Sequence, residues 1–387
     1  MARLLMISGV GASALAEGKR GAFYNTLEEF HKHWDRIDII CPRVRNDRGL
    51  LAPAAAGKGA LRYENKFFGN VFIHPSPWPK ILQPFWIYFE GLKILSANGG
   101  LLGGKDRHWE LENQNWVMTV HEYPPFYNGL GARMLWNKIK VPYVLEIMHI
   151  PGYPRTSDLR EFFYKFLTRI FISIDSSKAK AIRVINKNEV PGFLKKAGVS
   201  ESKIKYIPAF YIDLDIFKLM NLEKKYDLIF VGRLEKNKGL DILLEIAKKS
   251  NLKILIVGNG ALHNYLKLEI QNSKLNDRVI LYGWAKDSAE VAKLINESRA
   301  LIMLSYNEGG PRVILEALAC GIPVIATLVG IVPDVLNSNN GRIIDWSSDQ
   351  AIKAFKEAKD IKVETDLSRF DKTVAIKNYA DNIKSLI

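Results

Sequence analysis

Short apolar runs recur along the whole chain, each closed by glycine, proline or a polar residue, and they alternate with longer amphipathic stretches. Runs apolar at nearly every position, such as DLIFVG at 227–232 and LKILIVG at 252–258, have the pattern of strands buried on both faces of a parallel sheet. In the first half the same pattern predicts strands at 3–8, 37–41, 70–74, 116–121, 143–149, 181–186 and 205–208. In the second half it predicts strands at 227–232, 252–258, 278–283, 300–306 and 323–327. Helical periodicity falls between them, as at 22–33, 159–173, 240–249 and 311–320. Strands alternating with helices read as βαβ units, so the expected class is α/β with doubly wound, mostly parallel sheets.

The stretch 300–330, ALIMLSYNEGGPRVILEALACGIPVIATLVG, carries the most chemistry. It reads as strand, glycine loop, helix and strand, which puts the loop at the carboxyl end of a parallel strand, where open α/β sheets bind ligands. Gly309 and Gly310 let backbone N–H groups approach a ligand, and the helix start behind them favours an anion. Glu308 and Glu316 frame that anion site. An ionised carboxylate only accepts hydrogen bonds, so the pair suits hydroxyl groups beside a phosphate. Diphosphate flanked by hydroxyls describes a nucleotide sugar.

The run S-x-x-E-G-G-P-R-V-x-L-E-A-L-A-C-G-x-P-V-I-A, from Ser305 to Ala326, resembles the E-x7-E signature of retaining GT-B glycosyltransferases, in particular glycosyltransferase family 4. The resemblance implies two Rossmann-like domains facing across a cleft. It implies that Glu308 contacts the donor sugar and that Glu316 holds the ribose hydroxyls. Upstream, Arg233-Leu-Glu-Lys-Asn-Lys238-Gly239 follows a predicted strand, and two such cations suit a diphosphate, Arg bidentately and Lys as a point charge. The segment matches the family's G-R-x-x-x-x-K-G, whose cations clamp the donor diphosphate. His149 ends the strand that begins at Tyr143 and by resemblance approaches the transferred sugar; His121 ends the preceding strand and is a second cleft candidate. Trp284 stands where the family edges the nucleotide base. Gly9-Val-Gly11-Ala-Ser-Ala14 formally fits G-x-G-x-x-A, but the next strand does not end in the acidic residue that holds an NAD ribose. By resemblance this is the first glycine loop near the donor phosphates, with Gly11 as its binding candidate.

At 387 residues the chain is long enough for two α/β domains. The expected division is 1–212 for an acceptor-binding domain, 213–370 for a nucleotide-sugar-binding domain, and 371–387 for a helix crossing back to the first. A net charge of +14 favours anionic partners, among them a nucleotide-sugar donor and an anionic membrane surface. No nucleic-acid-binding motif accompanies it. Two cysteines, Cys41 and Cys320, provide neither a disulfide framework nor a zinc site, which suits a cytoplasmic setting. Asp213-Leu-Asp215 looks like a metal-binding D-x-D, but its hinge setting reads as turn capping, so no metal is expected. No cofactor is expected beyond the donor itself, a UDP-, GDP- or ADP-sugar.

Two segments point to a membrane interface. The stretch from Ser76 to Leu95 interleaves Trp78, Phe85, Trp86, Tyr88 and Phe89 with Lys80 and Lys93, and reads either as interfacial or as a helix covering the sheet. The stretch 159–173, LREFFYKFLTRIFIS, reads first as a core helix and second as interfacial. The N-terminal MARLLMISGVGASALA has the ingredients of a signal peptide, but the apolar run is broken by Ser8, Gly9 and Gly11, so a first strand is preferred. The expected activity is transfer of a hexose, with retention, to an acceptor hydroxyl of a lipid-linked or cell-envelope glycan, at the inner face of the cell membrane. With no carboxylate of the first domain evidently placed as a nucleophile, front-face attack assisted by the departing phosphate is the expected course. A sugar-nucleotide epimerase of the same fold is the alternative within enzymes, and a basic nucleic-acid- or membrane-binding protein is the alternative outside them.

Overall fold

The computed structural model describes residues 2–46, 49–50, 65–95, 115–208 and 210–386. Met1, Ala209, Ile387 and the parts of the expected domains at 47–48, 51–64 and 96–114 lie outside the described residues.

The apolar runs become two sheets. In the first half the chain forms β1 (Arg3–Ile7), α1 (Val10–Ala16), α2 (Ala22–Phe30), β2 (Arg36–Cys41) and a small hairpin of β3 (Arg45–Asn46) and β4 (Gly49–Leu50). It continues through β5 (Lys66–Phe67), β6 (Val71–Pro75), α3 (Gln83–Leu95), β7 (Trp116–His121), α4 (Tyr127–Ile139) and β8 (Tyr143–Ile147). Then follow α5 (Leu159–Ser176), β9 (Ala181–Val184), α6 (Glu189–Lys196) and β10 (Ile204–Tyr206). The sheet order is β10-β9-β8-β7-β1-β2-β6-β5, parallel except at the β5 edge. β1 lies between β2 and β7, so Arg3–Ile7 form a central strand, as expected.

The second half forms β11 (Tyr226–Val231), α7 (Leu240–Lys249), β12 (Ile254–Val257), α8 (His263–Asn272), β13 (Val279–Gly283), α9 (Ser288–Asn296) and β14 (Ser298–Met303). It closes with α10 (Arg312–Ala319), β15 (Val324–Thr327), α11 (Val332–Val335), β16 (Gly341–Ile344), α12 (Ser348–Ala358) and α13 (Lys372–Lys384). Its sheet runs β13-β12-β11-β14-β15-β16, all parallel. Strand order reverses beside β1 in one sheet and beside β11 in the other. The crevices at the carboxyl ends of β1/β7 and β11/β14 are therefore the ligand positions of the two domains.

α13 does not stay with the second domain. Its Ala375, Ile376, Tyr379, Ala380 and Ile383 are buried in the core formed by β1, β2 and α2. The anchor is polar as well as apolar: the Glu146 carboxylate accepts from Arg183 Nη1 and from the Tyr379 hydroxyl, each at 2.6 Å. The Arg183 guanidinium lies over the Tyr379 ring, 3.9 Å from its centroid. A buried pair is tolerated when hydrogen bonds satisfy its remaining capacity, and Arg183 also donates to the Ile207 carbonyl at 2.8 Å.

Two expectations are corrected here. Residues 159–173 do not form a core helix: within them only Thr168 and Ile172 are buried, while Leu159, Phe162, Phe163, Phe166, Ile170 and Phe171 are exposed. The segment is apolar around most of its circumference, so periodicity could not tell a covered helix from an uncovered one. The loop expected after β1 is in part a helix, since α1 starts directly behind Gly9 as its N-cap.

Candidate functional site

The site is built at the carboxyl ends of β11 and β14. After β11 the chain turns through Gly232, Arg233 and a short helical turn, Lys236–Lys238, before α7. The loop after β12 touches it closely: at Gly258, whose φ is +137°, a side chain would collide with the Gly232 carbonyl. Behind these loops lies a cavity of about 370 Å³, lined by Val231, Gly232, Arg233, Val257, Gly258, Trp284, Ala285, Lys286, Asp287, Ser288 and Val291. Trp284, a large apolar ring at the cavity wall, is 72% exposed. Sequence reasoning named Arg233 and Trp284 but not Lys286, Asp287 or Ser288. The available signal was an N-cap, because Asp287 accepts the Glu290 N–H at 2.8 Å and opens α9.

Lys238 and Glu308 meet directly. The Lys238 ammonium donates to Glu308 Oε1, which also accepts from Ser305 Oγ at 3.2 Å. Both side chains are mostly buried, at 14% and 18% exposure. The two loops are also joined through the backbone, with Tyr306 N–H donating to the Asn237 carbonyl at 2.8 Å. Arg233 differs from the expected clamp partner: it points outward, 65% exposed, and pairs with Glu235 at 2.9 Å. Glu316 stands on α10, half-buried and without a hydrogen bond among the described residues. Burial raises its pKa, with Arg312 opposing.

Gly309 and Gly310 do more than admit a ligand. A Cβ at Gly309 would collide with the Met148 carbonyl of the first domain, and one at Gly310 with the Phe210 ring. The paired glycines thus let the loop close against the first domain and the hinge. No hydrogen bond uses either N–H among the described residues, and α10 begins just beyond at Arg312 with Pro311 as its N-cap, one position later than the expected start at 311. Those donors and the helix start remain the anion-favouring end of the loop.

Across the cleft, His149 follows β8 and is solvent-exposed, yet its recess between domains costs it hydration. Its pKa is lowered by that desolvation, with Glu308 opposing, and His121 and Lys238 acting in the same direction as burial. His121 is half-buried and also lowered, chiefly by burial, with Glu146 opposing. Both rings are therefore neutral at neutral pH, each with an acceptor or donor for hydroxyl groups. Gly11 lies in the first turn of α1, exposed, at the end of β1. Asp213 caps a turn, accepting from Asp215 N–H at 3.1 Å and Ile216 N–H at 3.3 Å. Among the described residues no group of His, Cys, Asp and Glu could hold a metal ion.

The family model described as glycosyl transferases group 1 matches residues 212–365, the domain that carries this cavity and the Glu308 loop. That domain of the chain belongs to the family. An uncharacterised glycosyltransferase of Methanocaldococcus jannaschii is 25% identical over 294 residues, covering 75% of each chain. The N-acetylgalactosamine-N,N'-diacetylbacillosaminyl-diphospho-undecaprenol 4-alpha-N-acetylgalactosaminyltransferase of Campylobacter jejuni is 26% identical over 285 residues, 68% of this chain and 74% of that one. Among solved structures, Anabaena HepE in complex with UDP and glucose superposes over 100% of both chains with a TM-score of 0.67 at 16% identity. The glycosyltransferase thus has the GT-B fold, with two Rossmann-like α/β domains, as the strand orders already indicated.

Proposed function

We propose that this glycosyltransferase moves a hexose, with retention, from a nucleoside-diphosphate sugar to an acceptor hydroxyl of a lipid-linked or cell-envelope glycan. The observation that carries the donor half is the cavity at the β11 switch point, walled by Trp284 and Arg233. It lies in the domain that also holds the Lys238–Glu308 pair. In this reading Trp284 edges the base, and Glu316, still without a hydrogen bond, takes the ribose hydroxyls. Arg233 leaves Glu235 to meet the diphosphate, which Lys238, the N–H groups of Gly309 and Gly310, and the first-domain loop at Gly11 also face. Glu308 and neutral His149 hold the sugar. The cations and N–H groups stabilise charge that builds on the departing phosphate, which assists attack on the same face. Trapping of a glycosyl-enzyme, or an inverted product, would sink that course. The donor is a UDP-, GDP- or ADP-sugar and no further cofactor takes part.

The acceptor half rests on the first domain. α3 and its approach expose Ile81, Leu82, Phe85 and Phe89, and α5 exposes seven apolar side chains from Leu159 to Ile174. Lys93 on α3 and Arg160 and Arg169 on α5 are exposed, and Lys165 lies beside Phe162. Apolar faces set among cations suit an anionic membrane surface. No helix among the described residues is long and apolar enough to cross a membrane, so the association would be peripheral, at the inner face of the cell membrane. The Campylobacter jejuni relative, whose name places its acceptor on diphospho-undecaprenol, supports a lipid-linked acceptor.

Thermal unfolding with UDP, GDP, ADP and NAD, for wild type and Glu316→Ala, tests the donor site. A ligand at ~100 times its Kd adds about 2.7 kcal/mol to stability. Stabilisation by one diphosphate, lost in Glu316→Ala, is the expected result. No response to any diphosphate would remove the reading.

A further inference from the structure

Glu308 belongs to the second domain, yet the residue before it is bonded to the first. Asn307 is 2% exposed. Its side-chain amide donates to the Arg155 carbonyl at 3.1 Å and to Glu161 Oε2 at 2.9 Å. Glu161 is itself held: the same oxygen accepts the Ser157 N–H at 2.7 Å, and its own N–H donates to the N-cap Asp158 at 2.9 Å. One strand of backbone runs alongside, with Arg155 N–H donating to the Tyr306 carbonyl at 3.3 Å. The Arg155 guanidinium covers the rings of Tyr306 and Trp346, at 4.8 and 5.3 Å from their centroids.

We propose that Asn307 and Glu161 are positioning residues for donor-sugar recognition, forming a clasp that fixes the Glu308 loop against the first domain. The chemistry requires an amide at 307 and a fixed acceptor at 161. Both protons of the Asn307 amide are used, and a carboxylate in its place could donate neither and would face Glu161. An amide at 161 keeps an acceptor oxygen for both Asn307 and the Ser157 N–H. The cavity walled by Trp284 and Arg233 does not depend on the clasp, since none of its lining residues comes from the first domain. The Trp284 side of the nucleotide site is therefore independent of the clasp, which acts most on the sugar held by Glu308 and less on the diphosphate, whose other contact, Arg233, lies outside the loop. This inference rests on the reading that Glu308 faces the donor sugar.

Calorimetric titration of wild type, Asn307→Ala, Asn307→Asp and Glu161→Gln decides it. The titrants are the diphosphate, among UDP, GDP and ADP, that stabilises the wild type, and whichever of its hexose conjugates the wild type binds most tightly. Affinity for the bare diphosphate should fall distinctly less than affinity for the sugar conjugate in the Asn307 variants and stay near wild type in Glu161→Gln. Affinity for the sugar conjugate should fall about tenfold in both Asn307 variants, the size of one net hydrogen bond, and stay near wild type in Glu161→Gln. Should the Asn307 variants not fold, Glu161→Ala cuts the same bond from the first-domain side and carries the same expectation. Equal weakening of both titrants, or of neither, overturns the clasp and leaves the donor site standing. Absence of diphosphate binding to the wild type would sink both.

Discussion

The two domains share a doubly wound parallel sheet and spend their helices in opposite ways. In the second domain α7, α9, α10 and α12 turn their apolar faces to the sheet, and the exposed large apolar side chains are scattered singly, as at Tyr265, Leu268, Leu328 and Ile343. Scattered exposure of that kind is ordinary. In the first domain exposure is concentrated on α5 and on α3 with its approach, where apolar residues lie side by side with cations. On the proposed reading, one scaffold presents loops to a small polar ligand at one end and helix faces to an apolar environment at the other. The difference teaches that, on the proposed reading, cleft loops and apolar helix faces are separable: changes in the second-domain loops should act on the donor and changes on the exposed apolar face of α5 should act on a surface.

The sharpest separation is expected from Lys238→Ala. It removes the cation bonded to Glu308, and loss of one preorganised charge-stabilising donor costs ~10²–10³ in kcat. Steady-state rates of diphosphate release measure it, while sedimentation with anionic vesicles should be unchanged. A loss of vesicle binding would break the division of labour. The converse variant is Phe162→Ser combined with Phe166→Ser. Each fully buried Phe contributes ~1.5–3 kcal/mol to transfer from water, so partition onto anionic vesicles should fall about a hundredfold for the pair. Diphosphate affinity should stay at the wild-type value. Undiminished vesicle binding by the pair would show that α5 is not the face that meets lipid.

These contrasts also mark what the chain discloses before folding. The strands of the second domain were legible because a strand covered on both sides is apolar at nearly every position, and the course of the Glu308 loop because it lies within one βαβ unit. Arg233 and Lys238 stand in the short loop after β11 and Glu308 in the loop after β14, with Glu316 on the helix that follows. What was not legible is what depends on partners remote in the chain. Nothing near Gly309 announces that it packs on the Met148 carbonyl, nor that Asn307 bonds Glu161. Whether LREFFYKFLTRIFISI is covered depends on neighbours its own residues do not name. α1 was missed for a local reason: the glycines of GVGASALA read as loop, whereas Gly9 serves as the N-cap.

The joint between the domains gives a smaller effect. Tyr379→Phe removes a buried hydrogen bond to the Glu146 carboxylate and leaves the ring over Arg183. Bonds to charged groups are worth ~1.5–3 kcal/mol, so urea midpoints should fall by a corresponding amount. Donor binding at the second-domain cavity should survive. Loss of donor affinity in this variant would show that α13 sets the cleft geometry as well as stability.

The last contrast is a slope with pH under α5. Asp175 closes that helix and is buried beside Glu122, and burial pushes its pKa from the usual 3.8 up to about 7, with Arg133 opposing. Glu122 is likewise raised, by burial first and by Asp175 second. Between about pH 4 and about pH 7 the folded protein keeps the Asp175 proton while the unfolded chain loses it. The native state therefore binds more protons in that window, and stability from this group is full below it, falls as pH rises through it, and is level above. Urea midpoints of wild type against Asp175→Asn, taken from pH 4 to pH 8, isolate the contribution, because an amide cannot titrate. Wild type should lose stability relative to the variant across the window. A flat difference would mean that Asp175 is ionised in the folded state. The base of α5 would then be held by charge, and the first domain's apolar helix would be anchored to its sheet by ionic bonding such as Arg183 and Glu146 supply under α13.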